Sequence, residues 1–302
     1  MSDTAPQVDC FGTLFRNPIL LAAGTAGFGR EVAGVIDFSQ LGGLVTKAVS
    51  PEPRHGNPPP RVAETRGAML NSIGLANPGL DVVRREALPW LREHLAGTPV
   101  IVNVVGHTVE DFVKVVQGLA QEPGIAAFEL NVSCPNVDRG GAEFGADEAI
   151  VADLVRRCLQ ASDRPLIVKL SPALADHVRI ATAATESGAD GFTCVNTLPA
   201  LLYEEEGPHA ARLGAGPGGL SGPPLLPIGV RVTRIVRAAT GRPVIGAGGV
   251  RTGRDAWQYL AAGASLVAVG TAALADPRAP GRIARELAGI LKDEGGVRVQ
   301  TA

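Results

Sequence analysis

A chain of 302 residues, 45% hydrophobic and 19% charged, has the composition of a soluble protein that buries a large core, which excludes global disorder. Its 28 basic and 30 acidic residues leave a net charge of -2 without a block of like charge, and it holds only 2 Trp, 2 Tyr and 8 Phe. Neither a phosphate-tracking nor a base-stacking surface is expected from this, so nucleic acid is excluded as a partner.

Met1 to Cys10 is short and polar and lacks a basic segment followed by an apolar one, and no apolar run approaches the roughly 18 residues of a membrane span. A cytoplasmic address and no membrane partner are the expectation. The length suits one α/β barrel of about 250 residues, so a single domain over 1–302 is expected.

Taken in chain order, short β-branched or apolar runs alternate with helix-period segments. Strands are predicted at Ile19 to Ala23 and Leu44 to Val49, followed by a proline-dense loop, Pro51 to Pro60, that neither a helix nor a central strand accommodates. Next come strand Val100 to Val105, helix Glu110 to Gln121, strand Ala127 to Asn131, an insertion at Pro135 to Gly145, and helix Ala146 to Gln160. Strand Leu166 to Leu170, helix Ala173 to Ser187 and strand Phe192 to Asn196 follow, then a second insertion, Pro199 to Gly218. Helix Pro227 to Ala239, strand Val244 to Gly248, helix Arg254 to Ala262 and strand Leu266 to Gly270 complete the series. Eight such units predict an α/β fold, a closed (β/α)8 TIM barrel with long loops on its C-terminal face. Gly214 to Gly219 formally matches GxGxxG, but it follows Ala210-Ala-Arg-Leu213 rather than a strand, so an open dinucleotide-binding sheet is the weaker reading.

The predicted strands end in polar groups where a buried strand would continue apolar: Lys47, Asn103, Asn131, Lys169 and Asn196. Five on one rim describe a pocket for a polar, anionic ligand. The seventh and eighth strands end instead in Gly246-Ala-Gly-Gly-Val250 and Val269-Gly-Thr271, the turns that carry the usual barrel phosphate site. A phosphate-bearing cofactor is implied.

Cys134 follows the fourth strand in Asn131-Val-Ser-Cys-Pro-Asn136, placing a candidate nucleophile or general base on the active face. Cys158 and Cys194 sit in apolar runs and read as core residues, and the four cysteines have no metal or cluster spacing. The five histidines likewise show no metal spacing, and His94 and His177, in helical segments, are expected at the surface. Glu204 to Glu206 reads as a solvated loop tip.

Several stretches together resemble the class 1 dihydroorotate dehydrogenases, most closely type B. They are Arg61 to Leu75, Glu129-Leu-Asn-Val-Ser-Cys-Pro-Asn136, Val168-Lys-Leu-Ser-Pro172, Val195-Asn-Thr-Leu198, Gly219-Leu-Ser-Gly-Pro223 and Gly246 to Val250. The resemblance implies FMN across the barrel mouth, with its phosphate at Gly248, Gly249, Gly270 and Thr271 beside Gly222. Ala23, Thr46, Lys47, Asn103, Asn131, Lys169 and Val195 would hold the rest. It implies a dihydroorotate pocket at Lys47, Asn71, Ser72, Ile73, Gly74, Leu75, Asn131, Asn196 and Thr197, with Cys134 taking the C5 proton and Lys169 stabilising charge on the reduced ring. It also implies a homodimer joined by an FAD and iron-sulfur electron-transfer subunit, with NAD as final acceptor. Ala23 departs from the serine common in type B, and Pro199 to Gly218 diverges. A type A, fumarate-linked enzyme and a barrel similar to the FMN domain of dihydropyrimidine dehydrogenase stand as alternatives.

Overall fold

The computed structural model describes residues 5–133, 144–205 and 210–293. A hairpin of β1 (Val8–Cys10) and β2 (Thr13–Phe15) precedes β3 (Ile19–Leu21) and β4 (Gly43–Val45). A second hairpin, β5 (Val62–Thr65) and β6 (Ala68–Asn71), leads into α1 (Leu80–Val82), a π turn and α2 (Leu88–His94). Then come β7 (Val100–Val104), α3 (Val109–Leu119), β8 (Ile125–Asn131), α4 (Glu148–Ala161), β9 (Leu166–Leu170), α5 (His177–Glu186) and β10 (Gly191–Cys194). β11 (Leu198–Ala200), β12 (Gly218–Ser221), α6 (Leu226–Thr240), β13 (Val244–Ala247), α7 (Gly253–Ala261), β14 (Leu266–Val269), α8 (Thr271–Ala275) and α9 (Ala279–Asp293) complete the order.

Eight parallel strands close into a barrel in the order β10-β13-β14-β3-β4-β7-β8-β9, as the strand-helix alternation predicts. Helices start where side chains supply the N-terminal amide acceptors: Thr108 and Asp111, and Thr252 and Asp255, form capping boxes for α3 and α7, and Asp147 and Asp176 cap α4 and α5. Among the described residues no helix is long and apolar enough to cross a membrane.

The core has two parts. Outward-facing strand residues and the inner helix faces form the larger cluster, while Leu20, Val45, Ile101, Ala127, Ile167, Ile245 and Leu266 fill the barrel interior. Val8, Cys10 and Phe15 join that interior group, so the β1-β2 hairpin plugs one end of the barrel and leaves the other for the site.

The structure corrects several expectations. Strands β3, β4, β10, β13 and β14 stop one to four residues before the predicted ends, which places Ala23, Lys47, Asn196, Gly248 and Gly270 on loops. The segment Pro199 to Gly218 is not all loop: its two ends pair as β11 and β12 and join β6 and β5 in a four-stranded antiparallel sheet. These strands are three or four residues long and mostly half-buried or exposed, so they lack the apolar run that marks a barrel strand. His177 is buried, 6% exposed, rather than at the surface; its Nε2–H donates to the Ser171 carbonyl oxygen at 2.9 Å. Burial pushes its imidazole below the ordinary range, because a buried ring resists taking up charge. His94 is exposed as expected.

Candidate active site

A cavity of about 1050 Å³ opens at the C-terminal ends of the barrel strands. The four-stranded sheet walls it on one side through Val62, Met69, Asn71 and Gly219, and the turns after β13 and β14 wall it on another through Gly248, Gly249, Gly270 and Thr271. Its position follows from the fold: strand C-termini converge there, while the hairpin blocks the opposite end.

The floor is set by alternation along the strands. Two residues beyond interior Ile101, Ala127 and Ile167 come Asn103, Glu129 and Lys169, which the two-residue period turns to the same inward face. Glu129 is 1% exposed, and its carboxylate accepts from Asn103 Nδ2 at 2.6 Å and from Thr193 Oγ1 at 2.6 Å. The Lys169 Nζ lies 3.6 Å from Glu129 Oε1. A carboxylate only accepts, so it fixes which face of the Asn103 amide meets it and leaves Asn103 Oδ1 buried without a protein partner.

Above this layer the amides organise one another. Asn131 Oδ1 accepts from Asn196 Nδ2 at 3.2 Å, and Asn196 Oδ1 in turn accepts from the Thr197 backbone N–H at 2.9 Å. Asn71 Nδ2 donates to the Gly219 carbonyl at 3.2 Å, tying the β6 edge to β12. Leu75 holds a left-handed φ of 57°, a conformation that costs a leucine roughly 1 to 2 kcal/mol. Beside it, a Cβ at Gly74 would lie 2.5 Å from the Asn57 backbone nitrogen, so the tight Asn71 to Leu75 bend requires glycine there.

The glycine wall is equally constrained. Gly248 and Gly249 have φ of 117° and 75°, and a Cβ at Gly249 would sit 2.6 Å from the Leu226 backbone nitrogen. Tyr259, fully buried on α7, supports the turn by sharing its one hydroxyl proton between the Gly248 carbonyl at 2.7 Å and the Ala247 carbonyl at 2.9 Å. Burial pushes its phenol well above its ordinary range.

Of the predicted site residues in the described parts, all line the cavity except Thr46. The Thr46 side chain is buried behind the wall, where its hydroxyl donates to the Lys47 carbonyl and accepts from the Asn103 N–H. Through these bonds its hydroxyl steadies Lys47 and the Asn103 backbone. Cys134 lies outside the described residues. Cys158 and Cys194 are buried as expected, and burial pushes the Cys158 thiol up to about 12 and that of Cys194 higher still.

Sequence reasoning missed Glu129, Thr193 and Tyr259. Glu129 carried a signal, since it shares the inward parity of Ala127 and Asn131 on β8. Tyr259 carried none, because its partner turn becomes its neighbour only when α7 packs on β13.

A family model described as dihydroorotate dehydrogenase matches residues 6–291. The chain is 46% identical over 288 residues to the "Dihydroorotate dehydrogenase B (NAD(+)), catalytic subunit" of Geobacillus kaustophilus, covering 95% of this chain and 91% of that protein. It is 47% identical over 286 residues to the protein of the same description in Cutibacterium acnes, covering 93% and 92%.

Proposed function

Because the chain belongs to the dihydroorotate dehydrogenase family, we propose that it is the catalytic subunit of an NAD-linked, type B enzyme. In that role it oxidises (S)-dihydroorotate to orotate in pyrimidine (UMP) biosynthesis. The observation that carries this reading is the division of one cavity between a cationic, amide-rich side and a glycine-walled side. The first suits a small anionic pyrimidine and the second a phosphate.

FMN fits the residues present. Positive φ at Gly222, Gly248 and Gly249 leaves backbone where a side chain would intrude, and the orphaned Asn103 Oδ1 is an acceptor for which a flavin ring offers an imide N–H. Gly248, Gly249, Gly270 and Thr271 would hold the phosphate beside Gly222, and Ala23, Lys47, Asn103, Asn131, Lys169 and Val195 the remainder. FMN, when bound, supplies the acceptor for the hydride that leaves C6 of dihydroorotate.

The chain's own groups do the rest. Lys47 places a positive charge against the substrate carboxylate, and the side chains of Asn71, Asn131, Asn196 and Thr197 bind and orient the pyrimidine amides, with Ser72, Ile73, Gly74 and Leu75 closing around them. Cys134 takes the C5 proton on its sulfur. Lys169, at the cavity floor, stabilises negative charge on the reduced ring.

Anaerobic dihydroorotate should bleach the yellow protein and yield orotate; a flavin that stays oxidised refutes the activity. The chain alone should pass electrons to artificial dyes but reduce NAD poorly. Its proposed assembly, a homodimer with an FAD and iron-sulfur subunit, should restore NAD reduction when the two are purified together. Efficient NAD reduction by the chain alone would refute the two-subunit reading, and fumarate as the good oxidant would move it to type A.

A further inference from the structure

Glu129 is a carboxylate in the apolar interior of a barrel, one layer above Ile101, Ala127 and Ile167. Burial there is costly unless every oxygen is compensated. Oε2 accepts from Thr193, while Oε1 accepts from Asn103 and lies 3.6 Å from the Lys169 ammonium. Glu129 itself does not reach the cavity, whereas Asn103 and Lys169 both line it. The carboxylate therefore sits directly beside two groups that face the cavity. A neutral glutamine in its place would keep one accepting oxygen for Asn103 and meet a reoriented Thr193 hydroxyl with its amide N–H, but would not offset the lysine charge.

We infer that Glu129 is a positioning residue that tunes the flavin through Lys169. Its carboxylate holds the ammonium and the Asn103 amide in place and partly cancels the positive charge offered to the reduced ring. This inference rests on the FMN reading above. Removing the negative charge leaves Lys169 uncompensated, so reduced FMN gains affinity relative to oxidised FMN and the potential rises.

The experiment measures the flavin midpoint potential in the wild type, Glu129→Gln and Glu129→Asp. Glu129→Gln should favour reduced FMN by about tenfold or more, a rise of about 30 mV for a two-electron couple. Glu129→Asp, which keeps the charge, should stay near the wild type. A Glu129→Gln potential equal to or below that of the wild type overturns the inference, as does the same shift in both variants.

Failure of the FMN reading is separable. If wild-type protein titrated with FMN binds none, acylation of the Lys169 amine in the flavin-free protein decides the question, with peptide mapping as the readout. Lys169 should then react about tenfold faster in Glu129→Gln, and an unchanged rate overturns the pairing. Should Glu129→Gln alone fail to fold, the double variant Glu129→Gln/Lys169→Met removes both charges together. Recovery of the fold supports mutual compensation, and continued misfolding overturns it.

Discussion

The Tyr259 hydroxyl donates to the Gly248 carbonyl at 2.7 Å from the buried side of the glycine turn. The same oxygen lies 2.9 Å from the Ala247 carbonyl, so one phenol steadies the backbone on both sides of that peptide bond. Tyr259→Phe keeps the ring and leaves the Gly248 carbonyl without its donor, while the Ala247 carbonyl keeps the Val195 N–H at 2.8 Å. A loss of about 1 to 2 kcal/mol follows, which should appear as roughly 5- to 30-fold weaker FMN binding together with a lower Tm. Unchanged FMN affinity by fluorescence titration would uncouple the tyrosine from the turn.

Gly270 provides a cleaner probe of the phosphate site than Gly249. A Cβ at Gly249 strikes backbone, so every substitution there disturbs the turn itself, whereas at Gly270 the nearest atoms are 3.6 and 3.8 Å away, ordinary contacts. Gly270→Ala should therefore fold and retain FMN, while Gly270→Asp should fold and lose it by repulsion of the phosphate. Equal flavin content in the two variants would move the phosphate elsewhere.

Lys47→Ala deletes a charge-assisted bond to the substrate carboxylate. Orotate binding, followed through the flavin spectrum, should weaken by about 1.5 to 3 kcal/mol, or roughly 10- to 150-fold. Indifference to the change would mean that the carboxylate is held by other groups.

Cys134→Ala should keep FMN and bind orotate yet slow flavin reduction by about 10² to 10⁴-fold. In the wild type the reduction rate should climb as pH rises toward the ordinary thiol range near 8.5, since the thiolate is the base. The other cysteines offer no substitute: burial pushes Cys10 and Cys158 up to about 12 and Cys194 further. Thiol labelling of the native protein near pH 8 should mark Cys134 and leave those three untouched. Near-normal reduction by Cys134→Ala removes it from the mechanism.

His177 links stability to pH. Its folded-state affinity for a proton is lowered, chiefly by burial, so the unfolded chain binds the proton more readily. The contribution is therefore full above the unfolded value of about 6.5 and is lost as pH falls from there through the lower folded value. Between pH 7 and pH 5 the wild type should lose more Tm than His177→Asn, and parallel curves would refute the assignment.

Much of the barrel is legible in one dimension because its determinants are local. An apolar run such as Leu166–Leu170 makes a strand buried on both faces, and a capped amphipathic stretch such as Val109–Leu119 makes a helix, whatever lies elsewhere in the chain. Lys47, Asn131, Lys169 and Asn196 were recognisable for the same reason, as polar endings to apolar runs. The hairpin Val62–Asn71 was not, since strands this short and this exposed carry no pattern of their own and exist because Gly218–Ser221 pairs with them from far along the chain.

Sequence alone thus determined that eight strands form with helices after several of them, that glycine turns follow the last two strands, and which polar residues stand at the rim. Only the tertiary structure decided what those residues meet. Alternation shows that Glu129 points inward, but its partners Asn103 and Thr193 are 26 and 64 positions away, and barrel closure and register bring them to it. A two-residue period specifies a face and not its neighbours. A buried carboxylate depends on its neighbours, because its charge is tolerable only where an ammonium and two donors already stand.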